Sequence, residues 1–188
     1  MPQKKNLNVP NEREITIQTT PEEILDQTCQ TIRENLAEEL LQGILALSPI
    51  RFEYLVIDLL VKMGYGGTFQ DAAKVLGKSG DEGVDGVIKE DRLGLDVIYI
   101  QAKRWQGSVG CPELQKFVGA LAGQGAKKGV FITTSNYTKE ARAYLPKNET
   151  KIVLIDGKEL AELMIDYNLG CTSVQTYEIK KIDSDYFG

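Results

Sequence analysis

Asp85, Gln101 and Lys103 are the residues of this sequence whose types and spacing point to chemistry. Gln101 and Lys103 stand two apart in 95–103, a stretch that alternates as a strand, so their side chains share one face. Asp85 belongs to the preceding strand, 84–89, and only the turn-like Glu90-Asp91-Arg92-Leu93-Gly94 separates the two. In such a hairpin the Asp85 carboxylate can meet the face that carries Gln101 and Lys103. A carboxylate, an amide oxygen and an ammonium converging at a strand end suit metal-assisted hydrolysis of a phosphodiester. Asp and neutral oxygen ligands hold Mg²⁺, which polarises phosphate and water. The Lys ammonium orients or activates the attacking water and offsets the developing negative charge.

Each residue also has an ordinary structural reading. Asp85 alone, before Gly86, is a turn carboxylate; Gln101 and Lys103 alone are a solvated strand face. Against this, Ile98, Ile100 and Ala102 line one side of the strand, and Val97 and Tyr99 share the other with Gln101 and Lys103. Both faces therefore read as buried, and a buried Lys without a function is costly. Thr133-Thr134-Ser135 ends a strand and can bind phosphate, although Ser and Thr at strand ends usually cap. Gly77-Lys78-Ser79 is not a phosphate-binding loop, because Ala72 stands where the earlier Gly belongs.

Composition narrows the chemistry further. The chain has 188 residues, 42% hydrophobic and 26% charged, which suits one full core or a core with a short appendage. It contains no His, which removes Ser-His-Asp and Cys-His hydrolases and His-ligated metals. Cys29, Cys111 and Cys171 are far apart and form no C-x-x-C pair, so thiolate metal sites and a disulfide framework are not expected and a cytoplasmic setting is. No apolar run reaches the length of a membrane span. The net charge of −5, from 22 basic and 27 acidic residues, argues against a generic cationic coat for nucleic acid.

The chain divides at about residue 47. Residues 1–46 carry four basic and eight acidic residues, whereas the remainder is almost neutral. Residues 1–20 read as a flexible lead. Thr20-Pro21 with Glu22 and Glu23 starts a helix, whose apolar stripe (Ile24, Leu25, Cys29, Ile32, Leu36, Leu40, Leu41, Ile44) suggests a connector or an oligomer contact through 21–47. Ser48-Pro49 starts a second helix that runs to Met63 and stops at Gly64. The glycine-rich 64–80 reads as loop. Then come strands 84–89 and 95–103, helix 112–124, strand 128–134, short helix 138–144, strand 151–155, helix 158–167 and a last strand over 173–179. The order predicts an α/β domain over 48–188, a central mixed sheet flanked by helices and preceded by a helical segment over 1–47.

With these motifs in place, the sequence resembles the catalytic domain of the Mrr family of restriction endonucleases, a branch of the PD-(D/E)xK nuclease superfamily. The resemblance rests on Arg51-Phe52-Glu53-Tyr54 with Met63-Gly64-Tyr65, on Gly83-Val84-Asp85-Gly86, and on Gln101-Ala102-Lys103-Arg104. It extends to Gly129-Val130-Phe131-Ile132-Thr133-Thr134-Ser135 and Lys139-Glu140-Ala141, covering about residues 48–170. It implies a restriction-endonuclease-like core and an Mg²⁺-dependent endonuclease, with Mn²⁺ able to substitute, acting on double-stranded and especially methylated DNA. Asp85 would be the metal-binding Asp, Gln101 the Gln variant of the (D/E) ligand, Lys103 the catalytic Lys, and Glu53 a helix-borne acid supporting the metal or its water. The Ala102 backbone carbonyl joins the metal ligands, and Arg104, Gln115 and Ser135 are candidates for DNA contact. The sequence departs from the family at Glu82, where Gly is usual, and 47 residues leave no room ahead of the core for the winged-helix domain that family members often carry. A homodimer or higher homo-oligomer is expected, since one active site cuts one strand. Alternatives are a repair or junction-resolving nuclease of the same superfamily, or a catalytically silent DNA-binding module.

Overall fold

The computed structural model describes residues 20–66, 83–91, 93–144 and 149–188. Residues 1–19, most of the glycine-rich stretch, and Asp81 and Glu82 lie outside the described residues, so the lead, the loop and the role of Glu82 read from sequence are not addressed there.

Both helix starts follow from their caps. Thr20 Oγ1 accepts the Glu23 N–H at 3.3 Å while the Glu23 carboxylate accepts the Thr20 N–H at 2.9 Å, a reciprocal pair that opens α1 (Pro21–Leu45). Ser48 Oγ accepts the Arg51 N–H at 3.3 Å and opens α2 (Pro49–Lys62). α2 gives way to Gly64, whose φ of +101° takes the chain out of helical geometry.

The strands β1 (Gly86–Lys89), β2 (Val97–Lys103), β3 (Lys128–Thr133) and β4 (Lys151–Ile155) lie side by side in that order. β1 and β2 are antiparallel, with Gly86 opposite Ile100. β3 and β4 continue parallel, with Lys103 opposite Thr133 and Ile132 opposite Ile155. Helix α3 (Cys111–Gly123) crosses between β2 and β3, the short α4 (Lys139–Arg142) between β3 and β4, and α5 (Gly157–Asp166) follows β4. This is the expected mixed sheet with helices on both faces.

Period-two alternation sorts the core into two layers. Ile88, Ile98, Ile100, Ala102, Val130, Ile132 and Ile155 face α1, α2 and α5, against Ile44, Phe52, Val56, Leu60 and Leu160. Phe131 faces the other way, against Leu114, Phe117 and Leu121 of α3, with the Phe117 and Phe131 rings edge-on at 5.5 Å. Each fully buried phenylalanine is worth roughly 1.5–3 kcal/mol relative to exposure. Gly157 lets α5 start hard against the end of β3: a Cβ there would sit 2.3 Å from the Thr134 carbonyl oxygen.

The structure corrects three expectations. β1 begins at Gly86, two residues later than the alternation suggested, so Asp85 lies just ahead of the strand. Val97, expected on a buried face, is 36% exposed at the hairpin end of β2. Residues 173–179 form no strand; the segment leaves the domain beyond α5 with Val174 94% exposed, because alternation makes a strand only where a neighbouring edge pairs with it.

The apolar stripe of α1 is covered in its second half by its own chain. Ala37 and Ile44 are buried, and α1 packs along α5, where the Arg33 guanidinium grips Glu162 at 2.8 Å and Asp166 at 2.6 Å. Only the first half, with Ile24 and Ile32, stays exposed. Among the described residues no helix is long and apolar enough to cross a membrane.

Candidate active site

The site forms where the β1–β2 ladder runs out. The Asp85 N–H donates to the Ile100 carbonyl at 2.8 Å, and one oxygen of its carboxylate, Oδ2, accepts the Ala102 N–H at 2.8 Å. The side chain thus continues the ladder for one more step and is held rigidly over β2. Its other oxygen remains for a ligand. Ala102 lies between Gln101 and Lys103, which project to the opposite face from its own side chain.

Gln101 is only 3% exposed, and its amide donates to no group among the described residues. Gly83, at φ +84°, passes close beside it: a Cβ there would stand 3.7 Å from the amide nitrogen and 3.8 Å from the oxygen. Lys103 is half-buried at the end of β2, and among the described residues its ammonium has no hydrogen-bond or ion-pair partner. Glu53, in the second turn of α2, joins the group through its field. Burial holds its carboxyl above the usual carboxylate range, the Asp85 charge pushes the same way, and the Lys103 charge opposes both.

A divalent cation suits this donor set. The charges of Asp85 and Glu53 repel one another, and the Gln101 amide is buried on the neighbouring strand. These are the hard oxygen donors that Mg²⁺ and Mn²⁺ prefer. Among the described residues no cluster of three His, Cys, Asp or Glu side chains occurs, so any cation here depends on the Gln101 oxygen as well as on acids.

The sequence did not reveal what fixes the end of β2. Thr133 Oγ1 donates to the Lys103 carbonyl at 2.9 Å, Thr134 Oγ1 to the Trp105 carbonyl at 2.8 Å, and Ser135 Oγ to the Gln106 carbonyl at 3.3 Å. Three successive hydroxyls therefore clamp the chain from Lys103 onward. This is the capping alternative for Thr133-Thr134-Ser135, and it occupies the Ser135 hydroxyl expected at DNA. Arg104 turns to the other side, where Nη1 donates to the Leu45 carbonyl at 2.9 Å at the end of α1, while Nε is buried without a partner among the described residues. A cation there also favours the helix C-terminus. Gln115 is exposed on α3, over the sheet face from which Gln101 and Lys103 project.

Because Thr133 is fully buried, Thr133→Val keeps its shape but removes the donor to Lys103. It should cost about 1–3 kcal/mol, read as a lower midpoint in urea unfolding. An unchanged midpoint would mean that the clamp contributes no stability.

A family model described as a restriction endonuclease, Mrr_cat, matches residues 44–164. The chain belongs to the Mrr catalytic-domain family of restriction endonucleases. It is 49% identical over 169 residues to the type IV methyl-directed restriction enzyme EcoKMrr of Escherichia coli (strain K12), covering 90% of this chain and 55% of that protein. The chain thus spans about half the length of this curated relative. Among solved structures, the DNA modification-dependent restriction endonuclease AspBHI superposes with a TM-score of 0.53 at 14% identity, over 72% of this chain and 36% of that one. That likeness supports the fold, an α/β core with a mixed sheet.

Proposed function

We propose that this chain is the nuclease part of a modification-dependent restriction system, hydrolysing phosphodiester bonds of double-stranded DNA with Mg²⁺ or Mn²⁺. What supports this reading is that the Asp85 carboxylate accepts the Ala102 N–H, between Gln101 and Lys103, and that Glu53 feels the charges of both Asp85 and Lys103. The methyl-directed activity of the E. coli relative supplies the substrate class.

Asp85 and Glu53 provide the negative charge and Gln101 a neutral oxygen for the cation, with the free Asp85 oxygen as the natural first ligand. The Ala102 carbonyl is the remaining donor proposed on this strand. A cation held there supplies Lewis-acid stabilisation of the phosphoryl oxygen. Lys103, unpaired among the described residues, points its ammonium at the attacking water and at the charge that grows on the phosphate. Binding rests on contacts to phosphate oxygens, and Gln115 offers a polar contact from α3.

Incubating supercoiled methylated plasmid with the protein should give nicked and linear products with Mg²⁺ and none with EDTA. Intact plasmid under both conditions would contradict the reading. Within it, Gln101→Glu should stay active and need less Mg²⁺ for half-maximal rate, because a full charge replaces a dipole at the cation. A folded but inert Gln101→Glu at every Mg²⁺ concentration would give Gln101 a role other than ligation.

A further inference from the structure

Among the described residues, the sheet ends at β4, whose outer edge has no strand beside it. Such an edge offers a row of backbone N–H and C=O groups to an extended segment. On the α3 face beside it lies a hollow of about 220 Å³ lined by Leu114, Arg142, Tyr144, Ile152 and Leu154. On the other face Val153 is 54% exposed. Among the described residues the edge is therefore open along its backbone, with Ile152 and Leu154 on one face and Val153 on the other.

The chain also carries a segment of matching form. Residues 172–182, Thr-Ser-Val-Gln-Thr-Tyr-Glu-Ile-Lys-Lys-Ile, are rich in β-branched side chains and hold no Gly or Pro. They pair with nothing in the sheet, and Val174, Tyr177, Ile179 and Ile182 are 94%, 68%, 66% and 79% exposed. A strand-forming run that leaves four large apolar side chains in water gains by docking.

We infer that this arm adds as a strand to the outer edge of β4 in a second copy of the chain. When the arm is extended, Tyr177 and Ile179 share one face and enter the hollow beside Ile152 and Leu154. Thr176 and Glu178 then take the other face, with Val153 and Lys151, so that Glu178 meets a cation rather than an acid.

Handedness disfavours the chain's own edge. The crossovers β2-α3-β3 and β3-α4-β4 carry their helices over one face of the sheet, whereas α5 lies on the other. A parallel strand laid beyond β4 by the chain's own arm would make a crossover of the opposite hand, a sense that βαβ units almost never adopt. A second copy has no such restriction, and two copies can exchange arms reciprocally about a two-fold axis.

Sedimentation velocity on the full chain tests this without reference to nuclease activity. The wild type should sediment as a dimer or larger. Tyr177→Asp combined with Ile179→Asp should weaken association by at least about tenfold with an unchanged far-ultraviolet spectrum, because neither side chain belongs to the core. A fluorescent peptide of residues 172–182 should bind the doubly substituted chain, whose β4 edge is then free. A monomeric wild type, an oligomer indifferent to the double substitution, or a peptide that does not bind would each overturn the inference. A monomeric wild type whose doubly substituted form binds the peptide would place the arm on its own edge instead.

Discussion

Asp85→Asn is expected to abolish cleavage, by at least about 100-fold, while keeping the fold. The amide oxygen of Asn can still accept the Ala102 N–H that Asp85 holds at 2.8 Å, so the local ladder survives. What is lost is the charge beside Gln101, which contributes only a dipole. Asp85→Ala is the less clean test. It leaves the Ala102 N–H without its partner in a nearly buried position, which should cost about 1–3 kcal/mol of stability besides activity. Calorimetric titration with Mn²⁺ separates the two effects: Asp85→Asn should unfold near the wild-type temperature and bind Mn²⁺ far more weakly. Wild-type cleavage by the Asn variant would remove Asp85 from the site.

Lys103→Met should lower the single-turnover rate by at least about 100-fold with little change in Mn²⁺ affinity. Methionine keeps the apolar stem that runs through the half-buried end of β2 and deletes only the ammonium. Because that ammonium has no ion-pair partner among the described residues, its removal strands no buried acid next to it. The exception is Glu53, whose carboxyl the Lys103 charge pulls down, so Glu53 should hold its proton more firmly in the variant. Rates at saturating DNA, measured against Mn²⁺ concentration, distinguish a lost catalytic group from a lost ligand. A normal maximal rate reached only at higher Mn²⁺ would make Lys103 an electrostatic support rather than a participant in the reaction.

The placement of these residues was readable because it depends on local rules. A spacing of two puts Gln101 and Lys103 on one face of β2, and a short turn brings Asp85 alongside. Thr20 and Ser48 announced the starts of α1 and α2 by hydroxyls whose partners lie three residues away. Glu53 needed the family resemblance, since nothing in an amphipathic helix marks one acid as facing inward.

What escaped depended on distant partners. Thr133 holds the Lys103 carbonyl across 30 positions of sequence, and Arg104 reaches back 59 positions to Leu45. Neither residue type announces its partner. The stripe on α1 suggested an oligomer contact, but α5 covers half of it through pairs from Arg33 to Glu162 and Asp166. The alternation over 173–179 was real as composition and wrong as a strand within this chain, because pairing is a property of the neighbouring edge.

The position of the cation tests the central claim most directly. Crystals grown with a DNA duplex and Mn²⁺, measured for anomalous scattering, should show a peak about 2.2 Å from the free Asp85 oxygen and from Gln101 Oε1, with the scissile phosphate between it and Lys103 Nζ. A Mn²⁺ peak at the DNA that touches neither Asp85 nor Gln101 would contradict the account.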